Sequence, residues 1–138
     1  MGARRINAFP TTIQGDILWK TRREWGTVIS IDMETLKAAL DKQENVTILD
    51  VRLPKEYAAG HIPGAINIPR GLLEFMVWKK IVGFPENTDT SKKIYLYCGR
   101  GTRSALATKS LQDLVFTNAI LVDMKIVKWR KAGYPFEK

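Results

Sequence analysis

Apolar runs of strand length alternate along most of the chain with stretches of helical period, and glycine or proline marks many of the junctions. Val28-Ile29-Ser30-Ile31, Val46 to Val51, Ala65 to Ile68, Ile94 to Tyr97 and Ala119 to Val122 each predict a strand. Helical patterns fill the gaps. Asp32 caps one that runs to Leu40, with Met33, Leu36 and Leu40 on a shared face. Pro54 opens a short helix that Gly60 closes, Arg103 to Leu114 forms another, and Met124 to Lys131 forms a last one ended at Gly133. Strands alternating with helices predict an α/β fold: three layers, with a central parallel sheet of about five short strands covered on both faces.

Two segments break this rhythm. Gly71 to Val82 carries Leu72, Leu73, Phe75, Met76, Val77, Trp78, Ile81 and Val82, apolar around most of a helix circumference. Such a helix is expected in the core, the alternative being a face offered to a partner or second subunit. Residues 1–28 hold Pro10, Gly15, Gly26, Trp19 and Trp25 without a period, so they read as an N-terminal arm or extension that packs on the domain or on a second copy. That leaves 29–138 as the single domain, in a monomer or homodimer.

Composition narrows the functional classes. A length of 138 residues supports one real core, and 45% hydrophobic with 26% charged residues is ordinary for a globular domain. The single cysteine excludes an intramolecular disulfide and a multi-cysteine metal site, and no histidine cluster replaces it, so neither metal nor cofactor is expected. A net charge of +8 concentrates small anions around the chain. The basic residues are scattered, with no recognition helix or aromatic stacking motif, so nucleic acid is not an expected partner. No run approaches the roughly 18 apolar residues of a membrane span. The basic start Met1-Gly-Ala-Arg-Arg lacks an apolar core behind it, which points to the cytoplasm, or to the periplasm if a leader has been removed.

The chemistry concentrates at Tyr97-Cys98-Gly99-Arg100-Gly101-Thr102-Arg103-Ser104, between a predicted strand and a predicted helix. A thiol at a strand end, facing backbone N–H groups and a helix start, sits where positive potential favours the thiolate. Gly99 and Gly101 allow a tight bend with amides aimed inward, a cradle for a charged group carried on sulfur. Arg100, flanked by both glycines, is free to reach an anionic substrate, the alternative being a solvated surface cation. Arg103 falls in the first helical turn, where a cation opposes the dipole, so it is expected to brace the loop or pair with an acid. Asp50 lies at the carboxyl edge of its strand, where α/β sheets gather their sites, although a plain turn-forming aspartate is an equal reading. His61, the only histidine, sits between a glycine and a nearby proline in a tight connection and reads as structural rather than as a base.

Cys-x-x-Gly-x-Arg-Ser, at Cys98, Gly101, Arg103 and Ser104, resembles the active-site loop of the rhodanese family. Asp50-Val51-Arg52-Leu53-Pro54-Lys55-Glu56-Tyr57, running on to Gly60-His61-Ile62-Pro63-Gly64-Ala65-Ile66-Asn67-Ile68-Pro69, resembles that family's upstream signature, and Trp129 with Gly133-Tyr134-Pro135 its closing helix. The resemblance covers Ile29 to Phe136. It implies a rhodanese-like three-layer α/β/α domain, a thiosulfate sulfurtransferase in which Cys98 carries a persulfide and Gly99 to Arg103 bind it. Asp50, Arg52 and Ser104 would support the loop from behind, with Asp50 accepting hydrogen bonds from the loop or from Arg52. The partners implied are a small anionic sulfur donor (thiosulfate, a polysulfide or a persulfide) and a thiol or cyanide acceptor. Related folds also include phosphatases and arsenate reductases, whose loops place five residues before the arginine; here four, Gly99 to Thr102, separate Cys98 from Arg103, a ring suited to one sulfur atom. A non-enzymatic binding or regulatory module is the remaining alternative. One departure stands out: Met124 and Lys125 occupy the place of the family's usual glycine pair, which puts the shape of the substrate pocket in question.

Overall fold

A computed structural model describes residues 4–7 and 27–138. The order of elements is β1 (Arg4–Asn7), β2 (Thr27–Asp32), α1 (Met33–Asp41), β3 (Thr47–Asp50), α2 (Pro54–Ala59), β4 (Ile66–Asn67), α3 (Leu73–Val77), β5 (Ile94–Tyr97), α4 (Thr102–Asp113), β6 (Ala119–Asp123) and α5 (Ile126–Lys131). They build one six-stranded sheet in the order β1-β2-β6-β5-β3-β4. Strands β2 to β6 run parallel, as the alternating pattern predicts. The sixth, β1, pairs antiparallel at the β2 edge, Arg4 opposite Ser30. It lies in the stretch read only as an arm, because four residues with a single apolar member carry no strand signal. Trp19 and Trp25 lie outside the described residues.

Two apolar layers cover the sheet. Ile48, Tyr95, Tyr97 and Val122 pack with Leu36 and Ala39 of α1 and Trp129 of α5. Leu49, Leu96 and Cys98 pack on the opposite face with Leu73 and Val77 of α3 and Ala107 and Leu111 of α4. Strand β5, between β6 and β3, is buried at all four positions, the expected state of a central parallel strand. Side chains alternate along it, so Tyr97 enters one layer and Cys98, next in line, enters the other.

Several predicted boundaries hold to within a residue or two. Asp32 accepts the Thr35 N–H at 2.8 Å and caps α1. The apolar run after Gly71 differs from the single buried helix expected of it: a 3-10 turn at Arg70–Leu72, the short α3, and a π turn at Trp78–Val82. Only Leu73, Val77, Ile81 and Val82 are inside, whereas Leu72 is 48% and Phe75 82% exposed. Met76 and Trp78 are half-buried against the same core, and a helix lying on a sheet has no room to bury the rest of an all-apolar circumference, so Leu72 and Phe75 face solvent.

Gly60 closes α2 at φ 152°, and a Cβ built on it would lie 2.1 Å from the Phe136 ring. There His61 and Glu137 exchange backbone hydrogen bonds of 2.7 and 2.8 Å that pin the chain end. Gly60→Ala should therefore cost about 2 kcal/mol or more in urea unfolding, from overpacking and backbone strain together. A stability equal to wild type would show that the chain end does not hold this position.

Candidate active site

The site begins where β5 ends. Cys98 is followed by Gly101 at φ 96°, a left-handed conformation that brings the chain back beneath the sulfur and into α4. The Gly101 N–H donates to Cys98 Sγ at 3.0 Å and the Ser104 N–H donates at 3.4 Å. Ser104 Oγ lies 3.3 Å from Sγ and donates to the Gly101 carbonyl at 3.2 Å. Two backbone donors on one sulfur are suited to an anionic sulfur, as donors to an oxyanion are. The hydrogen-bonded amides are thus those of Gly101, which belongs to the run from Gly99 to Arg103, and of Ser104, which lies just beyond it. Ser104 therefore touches the sulfur directly.

Cys98 is 1% exposed, yet it lines a cavity of about 340 Å³ together with Glu56, Gly99, Arg100, Thr102, Arg103, Lys125, Ile126 and Val127. Arg100 is exposed at this cavity, and the half-buried Arg103 clasps Glu56 across it. The Arg103 guanidinium donates from Nη1 to Oε1 at 2.7 Å and from Nη2 to Oε2 at 3.1 Å, a two-pronged contact between α4 and α2. The Leu53 N–H adds 3.1 Å to Oε1. The hydrogen bonds from Arg103 hold the Glu56 carboxyl down to about 2, with burial opposing. Glu56 is the acid that the position of Arg103 called for; its identity was not legible because 47 residues separate the two in the chain.

Asp50 is placed differently from Cys98. The β3–β5 register sets it opposite Tyr97, and its carboxylate therefore points into the other layer. It accepts from Arg52 Nε at 3.0 Å and Nη2 at 2.7 Å, from the Arg52 N–H at 2.9 Å, and from the Tyr97 hydroxyl at 2.6 Å. Arg52 donates onward to the Gly60 carbonyl at 2.7 Å, and the Ile62 N–H donates to the Tyr97 hydroxyl at 3.1 Å. Burial first, then the charge of Asp50, pushes the Tyr97 hydroxyl upward, so it remains a neutral donor. Burial opposes the charge on Arg52, but its contacts with Asp50 outweigh this and its guanidinium is raised. Of the two partners foreseen for Asp50, Arg52 and the cysteine loop, the structure supplies Arg52 and, in place of the loop, Tyr97. His61 stacks on Tyr57 with ring centroids 3.8 Å apart, its Nδ1 3.0 Å from the Tyr57 carbonyl, and does not line the cavity.

Beyond the predicted residues, Lys125, Ile126 and Val127 form the far wall. The Ile126 N–H donates to the Gly99 carbonyl at 3.0 Å, which ties this wall to the cysteine loop. Met124 turns its side chain into the core, 6% exposed, while Lys125 is exposed. Only the departure from the glycine pair pointed to this wall.

A parallel α/β sheet that delivers a single cysteine, through a short glycine-bearing loop, to the start of a helix defines the class: a cysteine-loop domain of the rhodanese fold. The family model for the rhodanese-like domain matches residues 32–132, and the chain belongs to that family. It is 31% identical over 111 residues to the thiosulfate:glutathione sulfurtransferase of Saccharomyces cerevisiae, covering 75% of this chain and 79% of that one. The Bacillus subtilis protein YrkF is 32% identical over 127 residues, 86% of this chain, and the match spans 64% of that protein's length. Among solved structures, a Rhodopseudomonas palustris protein of unknown function, described as a possible tyrosine phosphatase, superimposes with a TM-score of 0.69 at 30% identity, over 94% of this chain and 99% of that one. Among the described residues, no helix is long and apolar enough to cross a membrane.

Two outcomes test this geometry. Asp50→Asn leaves the Arg52 guanidinium buried without its counter-charge and should cost on the order of 3 kcal/mol in urea unfolding. Cys98 alkylation in the folded variant should be little changed, since Asp50 faces the opposite layer; a large drop would place Asp50 at the sulfur. For the clasp, ionised Glu56 stabilises the fold because its carboxyl is held lower when folded. The stability gap between wild type and Glu56→Gln should be constant above the ordinary carboxyl value of 4.5 and close as pH falls toward about 2. A gap independent of pH over that window would rule the clasp out.

Proposed function

We propose that this protein is a sulfurtransferase that carries sulfane sulfur on Cys98. The observation that carries the reading is the pair of N–H donors, from Gly101 and Ser104, on a sulfur at the floor of an open cavity. In the first step the Cys98 thiolate attacks the outer sulfur of thiosulfate, the S–S bond of the donor breaks, and sulfite departs with the bonding electron pair. Cys98 is left as an anionic persulfide. Its outer sulfur enters the cavity lined by Gly99, Arg100, Thr102 and Arg103, with Arg100 available to the sulfonate end of the donor. In the second step a thiolate or cyanide attacks that outer sulfur, the persulfide bond breaks, and the Cys98 thiolate is restored. The relative named for thiosulfate and glutathione supports this donor and acceptor class. Asp50 and Arg52 serve here by holding the strand ends behind the loop.

The likeness to a possible tyrosine phosphatase favours phosphoryl transfer as a second reading. The four residues between Cys98 and Arg103 oppose it, since a tetrahedral phosphate needs a wider ring of amides.

Treatment with thiosulfate followed by intact-mass spectrometry should add one sulfur atom to the wild type and none to Cys98→Ser, and the same variant should lose thiocyanate production from thiosulfate and cyanide. Sulfur transfer surviving in Cys98→Ser would sink the mechanism. Hydrolysis of p-nitrophenyl phosphate without persulfide formation would favour the phosphatase, and neither activity would favour a binding module.

A further inference from the structure

Four charged side chains line the Cys98 cavity: Glu56, Arg100, Arg103 and Lys125. Glu56 and Arg103 neutralise one another through their two-pronged contact. Arg100 and Lys125 remain, and among the described residues neither side chain forms an ion pair with the protein. Among the described residues the cavity thus holds two uncompensated cations.

Lys125 is held at this rim by its backbone. Its carbonyl accepts the Lys128 and Trp129 N–H groups at 2.9 and 3.2 Å, and the next N–H, of Ile126, donates to Gly99 of the cysteine loop at 3.0 Å. On the other side, the Met124 carbonyl approaches to 4.0 Å from the position a Cβ on Gly101 would take. The chain before and after Lys125 is therefore seated on the loop that carries the sulfur. A lysine fixed there adds a mobile ammonium to the mouth, and a glycine at the same place would add nothing.

We propose that Lys125 is a substrate-selecting residue that, with Arg100, makes the cavity prefer reagents carrying negative charge next to the atom Cys98 attacks. In naming the natural reagent, a thiosulfate-type dianion whose departing sulfite keeps both charges, the inference rests on the sulfur-transfer reading. The charge preference itself rests on the cavity alone. An exposed ammonium within a few ångströms of an anion contributes modestly, enough to choose among reagents of similar reactivity.

Alkylation separates the two readings, because Cys98 is the only cysteine and reports on this site alone. Its thiolate displaces iodide from iodoacetate, an anion, or from iodoacetamide, which is neutral; a C–S bond forms and iodide leaves with the electron pair. The ratio of the two rates, taken on the folded full chain at low salt, cancels differences in thiolate reactivity. Lys125→Ala should lower the iodoacetate-to-iodoacetamide ratio about fivefold, with Lys125→Arg retaining it, and added salt should collapse the wild-type ratio toward that of the alanine variant. An unchanged ratio in Lys125→Ala, or a ratio equally low in Lys125→Arg, would overturn the proposal. In steady-state sulfur transfer from thiosulfate, Lys125→Ala should raise KM and leave kcat nearly constant; a fall in kcat with KM unchanged would also count against it. If the alkylation ratio falls as expected while the wild type forms no persulfide, the charge-selective mouth stands and the sulfur-transfer reading fails.

Discussion

A buried ion pair, Asp50 with Arg52, closes the carboxyl end of the sheet at the point where the cysteine loop leaves it. Side chains of this kind, 0% and 6% exposed, survive in a protein interior only when their hydrogen bonds are met. Here they are met by the Tyr97 hydroxyl and the Gly60 carbonyl, so the pair joins β3, β5 and the connection after α2. Asn67 joins as well, donating to the carbonyls of Asp50 and Arg52 at 3.0 and 2.9 Å. With Tyr97 anchored in one layer, the pleat of β5 sends Cys98 into the other. The Cys98 thiol is thereby aimed without a contact to the ion pair.

From that anchor the cysteine loop needs few further devices. Gly101 reverses the chain, Ser104 closes the loop under the sulfur, and Arg103 ties the start of α4 to α2 through Glu56. The far wall is pinned by one backbone hydrogen bond between Ile126 and Gly99. Three separate stretches of the chain thus meet at one cavity, each fixed to the loop or its neighbour by a named contact. The sulfur transfer proposed above asks for little more than a thiol, donors beside its sulfur, and room for one additional atom.

The elements were legible where a local signal existed. Asp32 as a cap, Pro54 and Gly60 as the ends of α2, and the fully apolar Ile94 to Tyr97 all express themselves within a few residues. The edge strand β1 did not, because its pairing with β2 depends on backbone groups across the sheet and not on its own pattern. The run after Gly71 misled in the opposite way: composition there exceeds what one packed stripe can bury, leaving Phe75 82% exposed.

Sequence alone determined the sulfur, the glycine that lets the loop turn, the strand that carries them and the parallel α/β architecture, since each depends on residue type or on short-range period. Tertiary structure decided which side of the sheet Asp50 and Arg52 serve, which acid Arg103 holds, and that Lys125 stands at the mouth. Those outcomes depend on strand register and on contacts between segments tens of residues apart, and a pleated sheet assigns neighbouring positions to opposite faces only once its strands are paired.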